Sequence, residues 1–371
     1  MSSIAQKAAA VFLVSTLLLS GCGSKTNNSG NNASSPTPAG TAQGGTSSPQ
    51  TVQSTPTPTP APPLVDLQKV KPNEAGKVMV VMFHNFVETF TPTKGDDGAY
   101  TTTFGEFRNL LNTLYDKGYR LVNLNDFLNN NVNIPAGCVP MIFTFDDGTS
   151  GQFNLVEENG KLVANKNSAI GIMEEFNKTH PDFGVKGTFY VNLGNRTFEG
   201  KGTLQERLKY LTDKGLEIGN HTLTHVSLPD VKTAEKIQQE IGGNQKKMLE
   251  LIPGYQMTTF SLPYGQASKD LQQYVAQGEF EGAKYNHLAI VEVGAGPTLS
   301  TVHKKSTPLS MSRVRSTGIK PVQADLDWWL KNISRADEYV SDGNPNTVTV
   351  PKAKAVDVDQ EKLKGKSLVT Y

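Results

Sequence analysis

The run Pro140-Met-Ile-Phe-Thr-Phe-Asp-Asp-Gly148 decides the reading of this chain. A short apolar stretch bounded by Pro140 and Gly148 has the signature of a buried strand, and it ends in two adjacent carboxylates, Asp146 and Asp147. Burying one carboxylate beside an apolar strand is costly, and a second next to it adds like-charge repulsion. A bound cation is the simplest compensation. Downstream, Glu217-Ile-Gly-Asn-His221-Thr-Leu-Thr-His225 supplies two imidazoles four residues apart, which one helical turn or a tight loop would aim at a single point. Two imidazole nitrogens and one carboxylate oxygen leave a metal position open, the pattern of a catalytic rather than a structural site.

Around this run the pattern alternates. A buried-strand run Val78–Phe83 precedes His84, and apolar residues at Phe104, Phe107, Leu110, Leu111 and Leu114 have helical spacing. A strand at Arg120–Asn123 and a short helix at Leu124–Leu128 lead into strand 140–145. Helix Ser168–Lys178, strand Gly187–Val191, helix Leu204–Lys214, strand Leu216–Gly219, helix Thr233–Ile252 and strand Thr258–Leu262 continue the series. Later strands are expected at His287–Val293 and Ser310–Val314, a helix at Val322–Tyr339, and a weakly ordered tail from Ser341. Such alternation argues for parallel β/α units. Functional groups of β/α barrels sit at the C-terminal strand ends, and Asp146, Asp147, His221, Tyr264 and His84 all follow expected strands.

Thr144-Phe-Asp-Asp-Gly148, His221-x-x-x-His225 and Leu262-Pro-Tyr-Gly265, in that order over about 120 residues, resemble the first three motifs of the polysaccharide deacetylases, the NodB-homology or carbohydrate esterase family 4 group. The resemblance implies an α/β fold, a distorted (β/α) barrel of the NodB type, and metal-dependent removal of acetyl groups from a glycan. It assigns Asp147, His221 and His225 to a divalent metal, Asp146 to the general base, and the main-chain N–H of Tyr264 to the developing oxyanion. Zinc suits two imidazoles and a carboxylate, although cobalt, nickel or iron could occupy the same ligands. Two departures stand out. Many members carry Arg at the position of Ser261, where it holds the base; Arg313 and Arg315 are candidate substitutes. The late Leu-x-His motif is missing after Arg315. Met82-Phe-His-Asn85 resembles the early Tyr-His stretch of the circularly permuted exopolysaccharide deacetylases, which makes His84 the candidate acid for the leaving amine.

The ends of the chain read differently. Lys7 followed by apolar Ala8–Leu19 and Leu19-Ser-Gly-Cys22 resembles a bacterial lipoprotein signal with Cys22 as the lipidated residue, too short an apolar run to span a bilayer. Multiple acyl chains on Cys22 would anchor stably where a single chain would not. Ser24–Pro63 is rich in Ser, Thr, Asn, Gly and Pro and lacks the apolar residues to fold, so it reads as a disordered tether, stiffened by its Thr-Pro repeat. The expected organisation is signal peptide 1–21, linker 22–75, deacetylase domain 76–342 and C-terminal tail 343–371. With two cysteines in all, lipidation of Cys22 leaves Cys138 without a partner. A net charge of +1 provides no long-range field for nucleic acid and fits a neutral polysaccharide.

The leading expectation is a metal-dependent hydrolase removing N-acetyl groups from a cell-wall or extracellular polysaccharide, exported and lipid-anchored to the outer face of the bacterial cell membrane. The alternatives are a non-catalytic glycan-binding lipoprotein that keeps the metal site, and an O-acetyl polysaccharide esterase.

Overall fold

Alternate residues of the strand that carries Asp146 face two different interiors, and this division organises the molecule. The structure, a computed structural model, describes residues 65–371 apart from 95, 96, 268 and 295. The expected signal peptide, Cys22 and most of the linker lie outside the described residues. The main sheet has nine strands: β1 Lys77–Phe83, β2 Tyr119–Leu121, β3 Val139–Asp146, β4 Thr188–Val191, β5 Glu217–Asn220, β6 Thr259–Ser261, β7 Ala289–Val291, β8 Thr298–Leu299 and β9 Val314–Arg315. From β1 through β3, β4, β5 and β6 to β7 every pairing is parallel. Short β2 adds to the start of β3, and β8 lies antiparallel to the start of β1.

The sheet curls until its ends meet through one segment. Met311 bridges to Val291 of β7, and three residues later Val314 and Arg315 pair in parallel with Val81 and Met82 of β1. The result is the distorted (β/α) barrel that the family resemblance implies, built from the parallel β/α units expected from the alternating pattern. Met79, Val81, Phe83, Met141, Phe143 and Phe145 point outward, under helices α1 Phe104–Asp116, α2 Ala169–Thr179 and α3 Leu204–Asp213, where Phe107, Leu111, Met173 and Leu211 meet them. Val78, Val80, Ile142, Tyr190, Ala289, Val291 and Met311 form a second, internal cluster. On the parity of Ile142, Thr144 and Asp146 continue inward, so the base candidate is the last internal residue of its strand.

A ladder of phenylalanines pins the strand ends level. Phe83 and Phe145 are direct partners across β1 and β3, and Phe145 and Phe189 across β3 and β4. Their rings stack at 5.4 and 4.7 Å, and Phe107 meets Phe83 edge-on at 5.6 Å. Aromatic pairs contribute about 0.5–1.5 kcal/mol each beyond area burial. A one-residue slip of β1 against β3 would turn these rings into the barrel and His84 away from it.

Two sequence expectations are corrected at the C-terminus. The helix expected over Val322–Tyr339 is confined to Leu326–Asn332 (α5), because Asp325 caps its start and Ile333 is already extended. The tail from Ser341 is not weakly ordered: Thr347–Val350 (β10) pairs in parallel with Ser367–Thr370 (β11). Val348, Val350, Val358 and Leu363 bury against Ala75 and Val302. The end of the expected linker also belongs to the fold, since Asn73 donates to the carbonyls of Glu338 and Ala336 and Glu74 is buried. A few buried valines among lysines suffice here because backbone pairing and the Glu74 side chain supply the remaining order.

Glu74 accepts hydrogen bonds from the main-chain N–H of Asp342 at 3.2 Å and of Thr349 at 2.8 Å. Burial, and then the neighbouring Asp342 charge, push its carboxyl from an ordinary value near 4.5 up to about 8. Between those values the folded chain holds a proton that the unfolded chain has released, so this residue's contribution to stability falls as pH rises through the window. The thermal midpoint should therefore drop by about 2 °C per pH unit between pH 6 and 8. Glu74→Gln should lose that slope whatever its absolute midpoint; an unchanged slope in calorimetric scans would remove Glu74 as its source.

Candidate active site

Asp146 ends β3 with its side chain fully enclosed, and Arg313 meets it inside the barrel. The guanidinium donates in a fork, Nη1 to Oδ1 and Nη2 to Oδ2, each at 2.8 Å. Both side chains are essentially inaccessible, at 0% for Arg313 and 2% for Asp146. The remaining arginine donors are satisfied: Nε by the Glu292 carbonyl at 2.7 Å, Nη2 also by the Ser261 hydroxyl at 3.0 Å, Nη1 also by Thr144 Oγ1 at 3.2 Å. Ser261 in turn donates to Asp146 Oδ2 at 3.1 Å. The position where many relatives carry arginine thus holds a small hydroxyl, and the space it leaves is filled by a guanidinium from the closing segment, separated from β6 by one strand, β7. Burial alone would raise the Asp146 carboxyl, but the Arg313 charge and hydrogen bonds overcome it and hold the group well below the usual carboxylate range. The missing arginine and the displaced histidine are the two departures that favour a non-catalytic reading, and Arg313 supplies the cation that the first of them lacks. Arg315, the other candidate substitute, does not touch Asp146.

Asp147 faces a different set of groups. Its φ of 78° and that of Gly148, 64°, turn the chain sharply after β3, so the second carboxylate swings toward β5. There His221 Nε2 lies 3.6 Å and His225 Nε2 3.4 Å from Asp147 Oδ1. One ligand atom from each of the three residues lies within 4.8 Å of the others. A tetrahedral ion with bonds of ~2.0–2.1 Å has ligand edges of about 3.3 Å, close to these separations. His221 directs Nδ1 to the Ser261 carbonyl at 2.7 Å, which fixes the tautomer and leaves the Nε2 lone pair facing Asp147. Burial, and then proximity to His221, lower the His225 pKa and keep its ring neutral, as a ligand must be. The residues fit a divalent cation. His221 is buried while His225 and Asp147 are partly open, so the cluster has one accessible side.

His-x-x-x-His adopts the loop alternative, not a helical turn. Thr222 and His225 both have positive φ, at 64° and 61°, which costs side-chain-bearing residues energy and persists only where the surroundings impose it. An asparagine network does so. Asn192, just beyond β4, donates to the carbonyls of His221 and Thr222. Asn220 Oδ1 accepts from Thr222 N–H at 3.0 Å and from Asn244 Nδ2 at 2.9 Å. Asn244 sits inside helix α4 (Ala234–Leu251), which also carries Glu240, acceptor for the Thr224 amide at 3.0 Å. None of these residues stands out by motif. The available signal was Asn244-Gln245, two polar residues on the apolar face of an amphipathic helix.

His84 extends β1 on the inward parity of Val80 and Met82. Its Nε2 lies 3.9 Å from Asp146 Oδ2, and its buried Nδ1 has no hydrogen-bond partner. Burial lowers its pKa, and the charge of Asp146 only partly offsets this. Gln152 ties the two strand ends together, its amide donating to the His84 carbonyl at 2.7 Å and to that of Asp146. On the other flank Tyr264, with φ 58°, places its exposed ring edge-on to His225 at 4.8 Å. The structure thus gathers Asp146, Asp147, His221, His225, His84 and Tyr264 at one end of the barrel. Arg120, His180, His287 and His303 lie elsewhere; Arg120 pairs with Asp182 at 2.8 Å, and His287 is a buried neutral ring.

Removing one partner of a fully buried ion pair leaves a charge that cannot be solvated. Arg313→Met should cost about 3–5 kcal/mol in denaturant unfolding. The double variant Asp146→Asn, Arg313→Met should cost clearly less than the sum of the two single changes, and strict additivity would show that the pair is not coupled.

Comparison with known proteins agrees with this geometry. Residues 135–283 match the family model described as polysaccharide deacetylase, a stretch that includes Asp146, Asp147, His221, His225 and Tyr264 and leaves out His84 and Arg313. Among solved structures, a polysaccharide deacetylase from Bacillus cereus superposes with a TM-score of 0.50 at 20% identity, covering 70% of this chain and 69% of its own. The Streptococcus pyogenes deacetylase PplD, solved with acetate, superposes with a TM-score of 0.50 at 16% identity, covering 70% of this chain and 98% of its own. No curated protein matches the chain. These likenesses bear on the fold; the family match bears on the kind of enzyme. Residues 135–283, with the carboxylate pair and the two imidazoles they carry, are therefore similar to the polysaccharide deacetylases, a group of hydrolases.

Proposed function

We propose that the chain removes N-acetyl groups from an N-acetylated cell-wall or extracellular polysaccharide, with Asp147, His221 and His225 holding a divalent cation, zinc by preference. The observation that carries this reading is the division of labour between two adjacent carboxylates. Asp146 is locked by Arg313 and held ionised, while Asp147 faces two imidazoles. A carboxylate held so far below its usual range is a weak base and cannot deprotonate ordinary water. A divalent cation on the neighbouring three ligands would polarise the acetyl carbonyl and bring the pKa of water toward ~7.

The chain's own groups then have distinct tasks. Asp146 Oδ2 accepts the proton of the attacking water, and Arg313 keeps that oxygen oriented. The Tyr264 main-chain N–H faces the developing oxyanion, as the family resemblance implies; one such donor contributes about 3 kcal/mol in the transition state. His84 takes up the proton that Asp146 Oδ2, 3.9 Å away, has accepted from the water, and its Nε2 then delivers it to the leaving amine nitrogen as the C–N bond breaks, returning the ring to neutral. We further propose the organisation read from the sequence: a signal over 1–21, lipidation of Cys22, and a linker that holds the domain off the outer face of the bacterial membrane. The Leu19-Ser-Gly-Cys22 stretch supports it.

One observation favours a second reading, O-acetyl ester cleavage. His84 is kept neutral by burial, and an alkoxide leaving group needs less help from an acid than an amine does.

Acetate release from N-acetylated and O-acetylated glycans, with and without chelator, tests the assignment. Chelator should abolish release, and His221→Ala should lose stoichiometric metal by elemental analysis while its circular dichroism stays native, because a catalytic ion is not the core of so large a domain. Asp146→Asn should retain metal and lose at least ~100-fold in turnover. Full metal occupancy in the first variant, or near-native release by the second, would overturn the corresponding role.

His84→Ala should impair amide cleavage by ~100-fold or more and cleavage of an activated acetyl ester far less, since that leaving group needs little protonation. Equal loss on both substrates, or none on either, would defeat the acid assignment.

A further inference from the structure

Beyond the catalytic groups, a second guanidinium stands at the mouth of the barrel. Arg315 follows Arg313 by two residues on the segment that closes the sheet, so both point to the same face, with Arg315 one level nearer the opening. It is partly buried, and its guanidinium carbon lies 4.8 Å from the centroid of Tyr100. Tyr100 is 39% exposed, and its ring lies edge-on to His84 at 4.9 Å. The Asn85 amide donates to the Tyr100 carbonyl at 3.0 Å and so ties this loop to the end of β1. Arg315 therefore stands one aromatic ring beyond the candidate acid.

Among the described residues Arg315 has no carboxylate partner, and three described acids of this region have partners of their own. Asp146 is taken by Arg313, Asp97 pairs with Lys320 at 2.6 Å, and Glu292 accepts the Ser310 hydroxyl. A partly desolvated guanidinium without a counter-charge is costly. With one face on Tyr100, its in-plane N–H fork stays available, and that fork matches a carboxylate or a phosphate in bidentate geometry. Neutral sugar hydroxyls would offset far less of the cost.

Resting on the deacetylation reading above, we infer that Arg315 and Tyr100 form an anion-binding subsite, and that the substrate is a glycan carrying a carboxylate or phosphate next to the acetylated sugar. Tyr100 supplies a stacking face for the sugar ring and holds the guanidinium in position.

Three N-acetylated oligosaccharides of one length test this: neutral, carboxylated and phosphorylated. The native enzyme should prefer an anionic glycan in kcat/KM, through KM, and the preference should weaken with added salt. Arg315→Gln should reduce that preference about tenfold, with Arg315→Lys retaining part of it. Which anion gains more identifies carboxylate or phosphate. Equilibrium binding of the same glycans to Asp146→Asn is the parallel readout, and Arg315→Gln in that background should abolish its discrimination. Equal treatment of all three glycans by the native protein, or a preference unchanged in Arg315→Gln, overturns the subsite. Absence of acetate release from every glycan would instead defeat the deacetylase reading, while the binding arm would still decide on Arg315.

Discussion

The buried pair between Arg313 and Asp146 is the constraint on which the rest depends. Two charges removed from water are tolerated because every donor of the guanidinium and both oxygens of the carboxylate are engaged. The pair also links parts of the barrel that are far apart in sequence, β3 and the closing segment 311–315. Only a sheet curled far enough to bring β7 and β1 to the same segment can satisfy it. Barrel closure and orientation of the Asp146 carboxylate are therefore one event.

Around that pair the strand ends are set by packing rather than by polar contacts. The Phe83–Phe145–Phe189 ladder lies outside the barrel, under the helices, and forces β1, β3 and β4 to end at one level. His84, Asp146 and Asn192 emerge from those ends. The polar side of the same ends is strained: Asp147, Thr222, His225 and Tyr264 all carry positive φ. Strain of this kind needs a rigid frame, and the phenylalanine ladder together with the Asn192–Asn220–Asn244 network supplies it.

Much of this was legible in the sequence, for identifiable reasons. The alternation of β-period and helix-period segments indicated parallel β/α units, the family resemblance implied the barrel, and two short motifs carried Asp147, His221 and His225. Each reports local chemistry at a strand end. What could not be read is long-range. Ser261 and Arg313 are 52 residues apart, and only the closed barrel shows that one fills the space left by the other. The C-terminal segment was misjudged because order there comes from pairing Thr347–Val350 with Ser367–Thr370 and from Glu74, more than 250 residues upstream, not from local apolar density. The polar residues of α4 were missed because a mid-helix asparagine has the same appearance whether it faces solvent or braces a loop.

The site divides at β3. On one side, toward β5, lie Asp147, His221 and His225; on the other, toward β1 and the seam, lie His84, Arg313 and Arg315. The family match covers the first side and stops short of both segments that make the second. Three side chains converging on one point need a fixed set of positions, so Asp147, His221 and His225 lie in short recognisable motifs. The seam half brings an imidazole and a guanidinium to Asp146, and different strands of a closed barrel can deliver these to the same point. Circular closure thus lets residues change their place in the sequence without changing their place in space, so that His84, on the first strand, and Arg313, on the closing segment, reach the same carboxylate.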